Sequence, residues 1–400
     1  MSRIDMLSAD AIDDPHRFLG ELRDEAPIQW SDRHRAWIVM GHPELDAAFR
    51  DRRLSTERMG QFRSRLTERR AAALAKAIDL LDGWMLFHEP PEHTRLRSPL
   101  ARSFTPRAVQ GLDHRVAALV DGLLDDMGDT AEGDLVGRFA HPLPAAVIAE
   151  LFGVPVGRRD WLAGWSEKFG VVVFGAVNRP DYEELAREAG EEFDERLRPL
   201  LDRYRAEPED NLLSLLLARE DHDDGLTTAE IIGACSLLLF AGHDTTASLL
   251  SSAILALCSD PDARRRFVEL EGADLDRAVE ELLRFEASAK AMMRTVAETH
   301  ERDGSTFEAG QTVFMAILAA NRDPRVFADA NRLVLDRSPN PHLTFGHGHH
   351  FCLGAALARL EIRLALPRLL RRFPSFEIIG PPVWKPNISD RSASSIPARW

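Results

Sequence analysis

Phe345-Gly346-His347-Gly348-His349-His350-Phe351-Cys352-Leu353-Gly354 sets three glycines around a single cysteine, directly ahead of a stretch with helical periodicity that runs to Phe373. Glycine lacks a Cβ and takes positive φ at little cost, so Gly346 and Gly348 predict a tight turn whose backbone can lie close against a neighbour. The turn delivers Cys352 to the N-terminal end of the following helix. There the unpaired amides and the helix dipole lower a thiol's pKa and favour thiolate, the form that binds metals. Gly354 is read as relieving crowding beside that ligand. Two other readings stand beside this one. Cys352 could be a buried structural cysteine, or a zinc ligand with His347, His349 and His350. Four ligands within six residues wrap a tetrahedral ion with difficulty.

Outward from this loop, the pattern is mostly helical. Pro43 to Phe49, Arg107 to Met127, Pro142 to Phe152, Asp181 to Arg205, Asp274 to Phe285 and Gly354 to Phe373 carry apolar residues at three- and four-residue spacing. One further helix starts at a capping box, Thr227 to Glu230, and runs to about Cys258. It is about thirty residues, or roughly 45 Å, long. It is apolar almost all round, which predicts burial. In mid-span it carries Ala241-Gly242-His243-Asp244-Thr245-Thr246, where glycine alone costs about 1 kcal/mol relative to alanine. Such a cluster is either a kink with internally satisfied polar groups or a functional site in which Gly242 opens a groove to water. Short apolar runs, Pro27 to Trp30 and Ala36 to Met40, flank the turn SDRHR and predict a hairpin, and a few strands are expected between 293 and 315 and near 375. The fold class is mainly α with a minor β part around a central long helix. With no repeat or Gly/Ser linker, one domain is expected over residues 1–400.

Composition narrows the function. Acidic residues outnumber basic ones 64 to 50, for a net charge of −14, which argues against nucleic-acid and anionic-membrane partners. Three cysteines, Cys235, Cys258 and Cys352, are too few for a disulfide framework. The N-terminal residues lack an apolar signal region, and the strongest apolar run, Ile231 to Gly242, is shorter than the ~20 residues of a membrane span. A cytoplasmic protein is expected.

The cysteine loop resembles the haem-binding signature of the cytochrome P450 family, F-G-x-G-x-H-x-C-x-G, with Phe345, Gly346, His350, Cys352 and Gly354 at specified positions. The resemblance implies haem b (iron protoporphyrin IX) with Cys352 as axial ligand of the iron. Ala241 to Thr245 is similar to the family's oxygen-activation motif, A-G-x-[DE]-T, implying that Ala241 lies against the cofactor and that Asp244 and Thr245 carry protons to bound dioxygen. Glu281-Leu282-Leu283-Arg284 resembles the E-x-x-R motif, implying a buried structural triad completed by Arg332. Ala330 and Leu333 depart there from the family's P-x-R-F pattern, which puts the local packing in doubt. His93 and Arg97 resemble the H-x-x-x-R motif, and with Arg294 and His350 are implied to hold the haem propionates.

By the same resemblance, an apolar substrate pocket is expected to include Trp84, Met85, Phe174, Leu238, Met292 and Met293, with Lys290 nearby as a candidate for a substrate carboxylate. The activity implied is a monooxygenase that inserts one atom of O2 into an apolar compound by hydroxylation, epoxidation or dealkylation. No flavin or iron-sulfur domain is fused, so a separate ferredoxin and its NAD(P)H-dependent reductase are the expected electron donors. Arg95, Arg102, Arg107, Arg359, Arg363, Arg368, Arg371 and Arg372 are candidates for a docking face. A peroxide-driven peroxygenase and a non-catalytic haem-binding gas sensor are the alternatives.

Overall fold

The hairpin forms as read: β1 (Ile28–Ser31) and β2 (Ala36–Val39) pair antiparallel, with Trp30 opposite Trp37. The computed structural model describes residues 4–155, 159, 161–173, 179–220, 222 and 225–400. β3 (Leu54–Ser55), β4 (Met292–Val296) and β5 (Thr312–Met315) complete a five-stranded sheet in the order β1-β2-β5-β4-β3. β2 and β5 run parallel, and β5 and β4 antiparallel. Ile38, Val39, Val296, Val313 and Met315 are buried in one apolar core, each worth roughly 1.5–3 kcal/mol relative to exposure. Trp37 stacks on Phe307 at 4.6 Å and meets Trp30 edge-on at 5.4 Å.

The helices that position the functional residues are α1 (Glu92–Ala101), α2 (Pro142–Phe152), α3 (Thr228–Ser259), α4 (Gly272–Phe285) and α5 (Ala355–Arg372). The capping box of α3 is reciprocal: the Glu230 carboxylate accepts from the Thr227 amide at 2.8 Å, and the Glu230 amide donates to the Thr227 hydroxyl at 3.3 Å. α3 runs unbroken for 32 residues. The expected helix Arg107 to Met127 is instead two, Pro106–Gln110 and Asp113–Gly128. Between them the amides of Gly111 and Leu112 bond three residues back, to Ala108 and Val109, and the tightened turn ends the first helix.

The chain forms two compact units. One comprises the chain up to Ser55, Val120–Ala140 and Thr245–Trp400; the other comprises Thr56–Leu119 and His141–Asp244. The first holds the five-stranded sheet, α4 and α5. It also holds a small sheet in which Pro397–Arg399 lies between Glu132–Asp134 and Glu377–Ile378. The second holds α1, α2 and an aromatic core in which Trp84 stacks with Phe87 and Phe240, and Trp165 with Phe169. Among the described residues, no helix is long and apolar enough to cross a membrane.

Helix α5 buries an acid without solvating it. Glu361 is 2% exposed, and its Oε2 has no hydrogen-bond partner among the described residues. Desolvation raises its pKa well above the ordinary value, so the folded protein holds it as the neutral acid while the unfolded chain releases the proton. Folding is therefore progressively penalised as pH rises beyond the ordinary carboxyl range. Glu361→Gln is expected to gain thermal stability relative to the parent as pH is raised from about 5 to about 8, read as unfolding temperature against pH. A constant or shrinking difference would contradict a buried neutral acid.

Candidate functional site

The loop that carries Cys352 is built on a buried ion network. Glu281 and Arg284 of α4 are fully buried and joined by two hydrogen bonds, Nε to Oε2 at 2.7 Å and Nη2 to Oε1 at 2.8 Å. Arg284 also donates to the carbonyls of Asn321, Ala330 and Arg332. Glu281 accepts from the Val334 amide and from Arg337 Nε, both at 2.9 Å. The third arginine is thus Arg337, with a side chain 8% exposed. Arg332, expected in that place, is 77% exposed beside Asp329. The meander explains the change: once the Val334 amide is docked on Glu281, a turn from Val334 to Arg337 brings Arg337 back to the carboxylate. Only the backbone carbonyl of Arg332 then enters the network.

From that network, hydrogen bonds lead into the loop. Asn321 accepts from the Leu343 amide at 2.7 Å and donates to Thr344 Oγ1, which donates to the Leu283 carbonyl. Gly346 and Gly348 follow with φ of 68° and 75°, the left-handed region that the sequence predicts for them. A Cβ on Gly346 would lie 3.4 Å from the ring of Phe49, and one on Gly348 would lie 3.3 Å from its carbonyl oxygen. His347 meets Asp46 at 2.6 Å and Arg50 at 2.7 Å, an engagement that does not suit a zinc ligand. Arg359 of α5 bonds Glu280 and lies 4.5 Å over the ring of Phe345, while His342 bonds the same carboxylate at 3.0 Å. Burial would raise the Glu280 pKa, but its bonds to Arg359 and His342 outweigh that and hold it at about 2.

The loop closes where the Cys352 amide donates to the Phe345 carbonyl at 2.9 Å. Cys352 is exposed, in no disulfide, and two residues ahead of Gly354, the N-cap of α5. The other two thiols are unsuited to ligation, because burial pushes the pKa of both Cys235 and Cys258 up. Gly354 differs from expectation: a Cβ there meets no protein atom within 4 Å. Protein packing therefore does not require glycine at this position, and the open space beside an exposed thiol suits a flat, iron-bearing cofactor.

Helix α3 is buried along most of its length, yet Ala241 and Thr245, one turn apart, are exposed. Gly242 does not open a groove for water. A Cβ there would come within 2.8 Å of Ile148 Cδ1, so glycine serves the close packing of α2. His243 is fully buried and bonds the His141 carbonyl, and Asp244 is half-buried.

His93 on α1 is 2% exposed and Arg97, one turn on, is half-buried. Arg294 on β4 is 6% exposed and donates to the Met293 carbonyl, and His350 lies half-buried in the loop. Trp84 belongs to the aromatic core of its unit and donates to Ser236 Oγ at 2.8 Å. Met85 and Leu238 are buried, and Met292 and Met293 are half-buried on β4. Phe174 lies outside the described residues. Lys290 is buried, and desolvation pushes its ammonium pKa down to about 8, against an opposing pull from Asp390.

The sequence profile of the family Cytochrome P450 matches residues 176–269 and 275–391. The chain is 38% identical to cytochrome P450 monooxygenase PikC of Streptomyces venezuelae over 98% of its length and 93% of the relative's. It is 35% identical to 6-deoxyerythronolide B hydroxylase of Saccharopolyspora erythraea over 96% of each chain. Its fold is similar to that of the solved bacillaene polyketide synthase cytochrome P450 PksS from Bacillus subtilis 168, with a TM-score of 0.88, 31% identity and 99% of each chain covered.

The exchange of arginines is directly testable. Arg337→Met removes a donor from a buried carboxylate and is expected to cost roughly 2–4 kcal/mol. Arg332→Met should leave the unfolding transition unchanged. Denaturant unfolding of the two variants distinguishes the roles, and the reverse order of stabilities would contradict the network described.

Proposed function

The chain belongs to the cytochrome P450 family and is a haem-b-binding monooxygenase, and we propose that Cys352 is its axial iron ligand and that Asp244 and Thr245 carry its protons. The whole chain is then one haem domain, in the cytoplasm. The observation that carries this reading is the setting of Cys352: the exposed one of three thiols, on a glycine turn at the start of α5, beside open space at Gly354.

Bound haem supplies the activation of dioxygen that side chains cannot, and a thiolate ligand favours O–O cleavage. The side chains do the rest. The N-terminus of α5 keeps Cys352 as thiolate. His93, Arg97, Arg294 and His350 are the residues that would hold the haem propionates, by charge-assisted hydrogen bonds. Asp244 would hold a proton and the exposed Thr245 hydroxyl would pass it on. Trp84, Met85 and Leu238 in one unit, and Met292 and Met293 in the other, would each offer an apolar substrate an apolar side chain. A bulky apolar substrate of the polyketide class is favoured by the likeness to 6-deoxyerythronolide B hydroxylase and to PksS.

Electrons come from a ferredoxin and its NAD(P)H-dependent reductase. Several arginines first read as a docking face are already engaged: Arg95 with Glu92 and Glu230, Arg359 with Glu280, Arg371 with the Val268 carbonyl. Steering of an acidic ferredoxin therefore falls to the exposed Arg102 and Arg107.

Turnover of apolar polyketides under 18O2, with ferredoxin, reductase and NAD(P)H, tests the reading. One labelled oxygen should enter each product molecule, and omitting ferredoxin should abolish turnover. Thr245→Ala should still consume NAD(P)H but release peroxide, with product per NAD(P)H reduced by at least about tenfold. Full coupling in that variant, or turnover supported by peroxide and not by the reductase system, would contradict the proton route.

A further inference from the structure

Buried cations outnumber their acid partners where the C-terminal segment meets the end of α4. Glu286, the C-cap of α4, is bonded by His16 Nε2 at 3.2 Å and by Arg322 Nη2 at 3.1 Å. Arg391 Nε stops 3.9 Å from the same carboxylate. The Arg391 guanidinium lies 4.3 Å over the Trp384 ring, and its buried Nε and Nη1 have no hydrogen-bond partner among the described residues. Lys290 is 3% exposed, and its ammonium makes no hydrogen bond or ion pair among the described residues. Asp390 attracts it only from beyond bonding range.

Backbone pairing brings these two cations together. The Lys290 and Ala291 amides donate to the Ser389 carbonyl at 2.8 and 3.2 Å, and the Arg391 amide donates to the Ser288 carbonyl at 2.9 Å. Between these bonds Ala289 pairs with Asp390 as an antiparallel bridge. Side chains alternate faces along such a pair, so the residues on either side of the bridge share a face. Lys290, opposite Ser389, and Arg391, two residues beyond Ser389, are therefore diagonal neighbours, about 7–8 Å apart at their Cα atoms. Desolvation pushes the Lys290 pKa down to about 8 against the pull of Asp390, and the Arg391 charge adds to the fall. The ammonium is still charged at neutral pH. Water could engage these donors but would leave two like charges uncompensated on one buried face. A carboxylate meets both needs, because its two oxygens accept charge-assisted bonds from an ammonium and a guanidinium together.

We infer that Lys290 and Arg391 form a binding site for one carboxylate. Met292, two residues beyond Lys290 in the same unit, is among the side chains assigned to the substrate above. An apolar substrate that ends in a carboxylate is then anchored by its charged end, a role that rests on that assignment. A small free carboxylate has the same chemistry and is the other source of the ligand.

Both sources are tested on the haem-loaded protein. Calorimetric titrations with decanoic acid and methyl decanoate compare one apolar chain with and without the charge. Thermal unfolding in acetate and in chloride, at equal ionic strength, compares a free carboxylate with a simple anion. If the substrate supplies the carboxylate, the parent should bind the acid at least about tenfold more tightly than the ester. Lys290→Met and Arg391→Gln should each remove that preference by weakening the acid alone, and Lys290→Arg should keep most of it. Unchanged ester binding shows that the variants are folded. If a free carboxylate fills the site, acetate and not chloride should raise the unfolding temperature of the parent, and Lys290→Met should lose that gain. A parent that neither prefers the acid nor gains from acetate would overturn the inference, as would an acid preference or acetate gain that survives in Lys290→Met. Neither readout depends on the ligand of the iron, so a failure of the Cys352 reading would appear separately, in the carbon-monoxide spectrum.

Discussion

A carboxylate removed from water is tolerated only when donors surround it, and Glu281 meets that condition with Arg284, Arg337 and the Val334 amide. Losing one donor leaves an uncompensated buried charge, which is why such a network fixes geometry more firmly than it adds stability. Its reach is long. Arg284 holds the Asn321 and Ala330 carbonyls, and Asn321 and Thr344 hold the chain just ahead of Phe345. The glycine turn therefore starts from a fixed point. Phe49, Asp46, Arg50 and Arg359 complete its walls, and the position of Cys352 follows from all of them.

Environment then selects among chemically identical groups. Cys235 and Cys258 are held as thiols by burial, whereas Cys352 is exposed at a helix start. The same contrast separates the arginines. Those bound by acids or carbonyls serve the scaffold, as Arg359 does with Glu280, and those left to solvent are available to a partner. Acids divide likewise: Glu280 is held far into its ionised range by Arg359 and His342, whereas the buried Glu361 stays neutral.

Features set by local chemistry were legible in the sequence. The positive φ at Gly346 and Gly348, the capping box of α3, its burial and the β1–β2 hairpin all depend on residues close in the chain, and each formed as read. What was not legible depends on distant partners. Arg332 and Arg337 are equivalent candidates until the Val334 amide is seen on Glu281, although Ala330 and Leu333 already marked the segment as unusual. Gly242 suggests an opened helix until Ile148 is found in its place. His141 carries no local signal at all, because only the packing of α2 on α3 brings it to His243. Strands of two or three residues, such as Val383–Trp384, are too short to show periodicity.

The central claim is that Cys352 binds haem iron as a thiolate. Reduction under carbon monoxide tests it most directly, on the parent protein and on Cys352→His. The parent should give the strongly red-shifted Soret band of a thiolate-ligated haem, and Cys352→His should lose that shift while still absorbing as a haem protein. A parent spectrum without the red shift, or a Cys352→His variant that keeps it, would contradict the account.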